Sequence, residues 1–145
     1  MKYDLQSDSL PIINGILYAD GKIEHLCISC DENHRRYIEK GSVIEEEIYE
    51  SSVGISAKCQ SVELDLKVSV GEGSFGGDGF VFAQTLSSDS FLWLIAFDDS
   101  NPFIAVRIAD DKILVENNLY EVWEINIKEI TNPQIAIIKQ SKFLC

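Results

Sequence analysis

Basic residues are scarce in this chain: 12 Lys and Arg stand against 24 Asp and Glu among 145 residues, a formal net charge of −12. A surface this negative repels phosphate backbones, which nucleic-acid binders neutralise with Lys and Arg, so no direct contact with nucleic acid or an anionic membrane is expected. Long apolar runs are missing too. The longest wholly apolar stretch, residues 91–97, is seven residues, far short of the ~20 that cross a bilayer as a helix. The first ten residues hold one Lys and two Asp without an apolar run, so no secretory leader is expected. With no N-x-S/T sequon, repeat, low-complexity tract or linker, the expectation is one soluble, cytoplasmic domain of residues 1–145.

Chemistry-bearing residues are equally sparse. The two histidines, His25 and His34, lie in no recognisable catalytic motif, and no serine stands out as a nucleophile beside them. Cys27 and Cys30 form C-x-x-C with His34 four residues on, which raises zinc. A structural site would need a fourth ligand from Cys59 or Cys145, and no second C-x-x-C exists. The segment reads as a strand, which points Cys27 and Cys30 to opposite faces. Four ordinary reduced thiols and no metal or other cofactor are therefore expected. The pairs Asp98–Asp99 and Asp110–Asp111 lack the D-x-D-x-D-G frame of a calcium loop and read as turns.

What is present is the composition of a folded domain: 46% hydrophobic and 25% charged residues, at a length that buries roughly 70% of the unfolded chain's surface. Its dominant pattern is strand. Residues 61–70, S-V-E-L-D-L-K-V-S-V, put Val62, Leu64, Leu66, Val68 and Val70 on one face and polar residues on the other. Residues 80–86 read as a second strand and 91–97, F-L-W-L-I-A-F, as one buried on both faces. Turn residues then separate strands at 103–109, 112–116, 119–127 and 134–139, and residues 12–18 and 22–30 form a hairpin candidate. Residues 31–52 are ambiguous. Asp31 or Asn33 could cap a helix running to Lys40, and Ser42 to Glu45 has the S-x-x-E form of a capping box. The fold class expected is mainly β, with α+β as the alternative: an antiparallel meander forming a sandwich or half-barrel, with one or two short helices.

Residues 71–76, G-E-G-S-F-G, match G-x-G-x-x-G and look like the glycine-rich loop over ATP phosphates in protein kinases. The following strand carries no lysine, and neither an H-R-D-type loop nor D-F-G is present. A dinucleotide fold would need a helix after the glycines, where a strand pattern follows. The stretch is read instead as a long, flexible connection between strands.

The distribution of negative charge carries the functional expectation. Glu45, Glu46, Glu47 and Glu50 make an acidic run that includes Tyr49, and Asp98, Asp99, Asp110 and Asp111 occupy turns. Carboxylates pair with Arg and Lys while tyrosine supplies anchoring area, so these residues are the candidate contacts with a basic protein partner. A solvated acidic face that only keeps the chain soluble is the alternative.

The carboxyl-terminal half has a distinctive rhythm: the hydrophobic strand 91–97, a D-D-K turn at 110–112, a short strand ending V-E-N-N at 115–118, then a segment bearing Glu121. Over about 50 residues it resembles the β-rich immunity proteins of bacterial contact-dependent growth inhibition systems. The resemblance implies a small cytoplasmic protein that binds and neutralises a cognate toxin domain, often a basic nuclease, and is not itself an enzyme. It carries no binding residues over. The rival from another class is a β-barrel or sandwich that binds a small ligand, or an enzyme with an internal cavity lined by Phe80, Phe82, Trp93 and Phe97.

Overall fold

The computed structural model describes residues 9–41 and 49–140. Among these residues twelve strands follow in order: β1 Ser9–Ile12, β2 Gly15–Tyr18, β3 Ile23–Cys30, β4 Arg36–Lys40, β5 Tyr49–Ser61, β6 Leu66–Gly73, β7 Gly79–Thr85, β8 Phe91–Phe97, β9 Phe103–Ala109, β10 Lys112–Asn117, β11 Val122–Asn126 and β12 Gln134–Lys139. They form an eight-stranded sheet, β1-β5-β6-β7-β8-β2-β3-β4, and a four-stranded sheet, β12-β11-β10-β9. Every pairing is antiparallel. The architecture is an antiparallel β-sandwich in which the larger sheet is not closed into a barrel.

Two cores follow from the period-2 alternation of the strands. On one face of the large sheet, Leu66, Val68, Val70, Val81, Trp93, Ile95 and Phe97 meet Phe103, Ile113, Val115, Trp123 and Ile125 of the small sheet. Trp123 is the hinge of this packing, with its ring edge-on to both Phe97 and Phe103 at centroid distances of 5.4 and 5.2 Å. On the other face, Phe80, Phe82, Leu94 and Ala96 pack with Leu10, Ile12, Ile13 and Leu17. The chain bends at Asn14, whose φ is +50°, so β1 joins β5 while β2 joins β8. That bend wraps the sheet around the second core. It also explains why β7 and β8 are apolar on both faces.

Three expectations are corrected. No helix occurs among the described residues; residues 31–35 make a turn in which Asp31 Oδ1 accepts from the amides of Asn33 and Arg35, at 2.8 and 2.9 Å. The carboxylate that was to cap a helix instead turns β3 into β4. The capping-box segment Ser42 to Glu45 lies outside the described residues. The strand expected at 61–70 is split: residues 62–65 form a turn, Asp65 takes φ +50°, and Val62 is 81% exposed. Cys30, third, is disulfide-bonded rather than a reduced thiol, while Cys27 and Cys59 are free.

The glycine stretch is corrected as well. Gly71 and Gly73 belong to β6 and Gly79 opens β7, leaving only residues 74–78 as the hairpin loop. A side chain at Gly71 would collide with the Gly54 carbonyl and reach 2.9 Å from the Phe80 ring, and one at Gly73 would strike Asp78 and Ser51. These glycines permit close approach of strands around the second core. Only Gly76, at φ +85° with open space beside it, behaves as a loop glycine.

Candidate functional site

One end of the second core is built where β5 begins, β6 ends and β7 begins. Alternation along β5 turns Tyr49 and Ser51 to the inner face, the face of Leu10 and Ile12 across the β1 pairing. There Tyr49 donates its hydroxyl to Asp78 Oδ2 at 3.1 Å, and Ser51 Oγ reaches the same oxygen at 3.2 Å. The Ser74 amide donates to Ser51 Oγ at 2.9 Å and fixes the start of the loop. Asp78 is 1% exposed, and its Oδ1 is buried without a hydrogen-bond partner among the described residues. A lone unpaired carboxylate oxygen in this setting costs on the order of 1–3 kcal/mol or more.

Against Tyr49 lies Phe75, 69% exposed, its ring edge-on to the Tyr49 ring at 5.0 Å. The Tyr49 phenol is pushed above its ordinary range by burial first, then by the hydrogen bond and charge of Asp78, and by Asp98. It therefore remains a donor. Asp98 is tied to the bend in the first strands: its amide donates to Asn14 Oδ1 at 2.9 Å. The Asn101 amide donates to the Gly77 carbonyl at 2.8 Å, so the 74–78 loop and the 98–101 connection are one continuous rim.

Beside this rim runs a second polar group, centred on a buried ion pair. Arg36 donates through Nε to Glu121 Oε2 at 3.0 Å and through its guanidinium to Glu121 Oε1 at 3.2 Å and the Asp99 carbonyl at 3.1 Å. Glu121 also accepts from Asn117 Nδ2 at 3.1 Å and Trp123 Nε1 at 2.8 Å. Crowding by protein around the Asp99 carboxyl, then the neighbouring Asp98, pushes it up to about 6, against the pull of Arg36. Asp99 as a residue is nonetheless exposed, so the crowding acts on its carboxyl from one side.

Of the residues singled out in the sequence, Tyr49, Asp98 and Asp99 come together at this end. Glu50 follows Tyr49 but points to the outer face, where it accepts from Ser9 Oγ at 2.9 Å. Asp110 and Asp111 turn β9 into β10, at the far end of a seven-residue strand from Asp98 and Asp99, roughly 20 Å away at the rise of an extended chain. They belong to a different surface. Glu45, Glu46 and Glu47 lie outside the described residues. Asp78, Phe75 and Arg36 are features that sequence reasoning missed. The signal for Asp78 was a lone carboxylate inside a glycine-rich turn.

Trp93 and Phe97 are packed in the first core and Phe80 and Phe82 in the second, each fully buried against neighbouring side chains. His25 borders a surface groove with Lys22, Glu24 and Lys40, and His34 sits exposed in the β3–β4 turn at φ +60°. Cys27 contacts Ser29 and Glu39, and among the described residues no three potential ligands group to hold a metal. No described helix is long and apolar enough to cross a membrane. No protein-family model, curated protein or solved structure matches the chain.

Proposed function

We propose that this chain is an immunity protein that binds a cognate toxin domain of cationic, nuclease type and neutralises it by covering its active site with an acidic surface. The observation that carries the reading is the acidic, aromatic rim: Asp98 and Asp99 stand beside exposed Phe75 and the Tyr49–Asp78 pair, in a chain of net charge −12. Such a rim offers carboxylates to Lys and Arg and ring area for anchoring. The rhythm of residues 91–121, which spans β8 to the turn before β11, adds the resemblance to immunity proteins of contact-dependent growth inhibition.

The mechanism is steering followed by occlusion. A toxin surface shaped for a phosphate substrate is positive, and the acidic chain draws it in until it lies within a Debye length of ~8 Å, after which packing blocks the substrate path. The site of action is placed in the cytoplasm. The disulfide at Cys30 is the observation against that location, since such bonds persist mainly in oxidising compartments.

The test is protection. A toxin domain encoded beside this chain is expressed in a host with and without it; survival only with the chain, together with a purified one-to-one complex, is expected. Equal killing in both hosts counts against the proposal.

A further inference from the structure

We infer that Asp78 is the receptor for a single cationic side chain, an arginine or lysine presented by the protein partner at this end of the second core. For its partner the inference rests on the toxin-binding reading above, and it names the contact that reading leaves open.

Asp78 is a buried carboxylate with an unbalanced set of neighbours. Tyr49 and Ser51 both address Oδ2, while Oδ1 has no hydrogen-bond partner among the described residues. Among the described residues the ion pairs are Arg36–Glu121, Lys67–Asp89 and Lys112–Glu124. None brings a cation to Asp78. Removing a carboxylate from water without a compensating charge is unfavourable, and a guanidinium or ammonium at Oδ1 supplies that charge.

The surroundings select the same chemistry. Phe75 presents an exposed ring directly beside the Tyr49–Asp78 pair, and an aromatic face attracts a cation. Asp98, whose carbonyl lies against Gly77, adds negative charge beside the loop. The Ser51 and Ser74 hydroxyl oxygens lie 3.2 Å apart beside the carboxylate, and neither brings a positive charge to it. Entry requires the loop over Asp78 to shift, and its tip is unpacked: a side chain at Gly76 would meet nothing within 4 Å. The Asp110–Asp111 turn has no comparable buried carboxylate and makes the internal control.

The experiment titrates the full isotope-labelled chain with an octa-arginine peptide, following backbone amide shifts by NMR. Parallel arms use a neutral peptide of equal length and calcium chloride alone. Shifts are expected at Gly73, Ser74, Phe75 and Asp78. Asp78→Asn should weaken the peptide by at least about tenfold while the unfolding midpoint stays level or rises, because the change removes an unpaired buried charge. Phe75→Ala, at an exposed position, should weaken it by about threefold, and Asp110→Asn with Asp111→Asn should leave it unchanged. Undiminished binding by Asp78→Asn, shifts centred on residues 110–111, or reproduction of the Asp78 shifts by calcium alone would each overturn the inference. Because the peptide replaces the toxin, this result stands apart from protection: toxin binding that survives Asp78→Asn removes the inference and leaves the proposed function.

Discussion

Arg36 of β4 and Glu121 at the head of β11 form a two-pronged ion pair, at 3.0 and 3.2 Å, that joins the large sheet to the small one in the interior. Glu121 is 0% and Arg36 9% exposed. Gln140 locks the same point by exchanging two bonds with the Arg36 backbone at 2.6 Å. The pair therefore fixes the sandwich's register at the end that carries Asp98 and Asp99.

Breaking one member of such a pair is costly because the survivor remains buried and charged. Glu121→Gln or Arg36→Met should each lower unfolding free energy by ~3–5 kcal/mol. The double replacement Arg36→Met with Glu121→Leu should recover much of the loss. Urea denaturation measures all three; single variants within 1 kcal/mol of wild type would show that the pair does not hold the sheets.

The two kinds of glycine in residues 71–79 separate by mutation. Gly71→Ala should destabilise by at least ~2 kcal/mol, as an added methyl forces the β5–β6 backbones apart beside Phe80. Gly76→Ala should cost only ~1 kcal/mol, the strain of its left-handed backbone. Equal costs would return the stretch to a flexible connection.

Much of the sheet was legible because its strands alternate cleanly. The ranges 91–97, 103–109 and 134–139 coincide with β8, β9 and β12. The turn at residues 62–65 was hidden because the apolar alternation continues through it, while Ser61 Oγ accepting from the Leu64 amide at 3.2 Å stabilises the reversal. Glycine spacing gave no sign of the space available, which depends on Phe80 and Asp78 across the hairpin. Arg36 and Glu121 lie 85 residues apart, and no local pattern couples them. Likewise Asp98 and Asp99 stood out as an acidic pair, but their separation from Asp110 and Asp111 is a property of β9.

Asp99 should titrate with a midpoint near 6 rather than at its ordinary 3.8. The folded state holds this proton more tightly than the unfolded chain, so its contribution to stability is full below pH 3.8 and is lost as pH rises through about 6. Carboxyl-carbon NMR should show the midpoint, and Asp99→Asn should flatten the stability profile over that window. A midpoint near 4 would refute the crowding described around this carboxyl.

Tyr120 sits 71% exposed at φ +64°, a backbone conformation that a bulky residue adopts at a cost. Asn117 imposes it by accepting from the amides of Leu119 and Glu121 through Oδ1 at 3.1 and 2.9 Å. Tyr120→Gly should raise stability by ~1 kcal/mol, the relief of that strain less the entropy of glycine. A drop in thermal midpoint would mean that the exposed ring makes a stabilising contact.

Under the proposed function an acidic surface of this chain steers towards a cationic toxin, and steering is read in the association rate of the chain with a cognate toxin domain as salt increases. From ~0.02 to ~0.5 M salt the rate should fall by at least about tenfold, with a smaller change in dissociation. An association rate indifferent to salt, or no association with such a toxin domain at any salt concentration, would show that the acidic surface does not steer a cationic toxin.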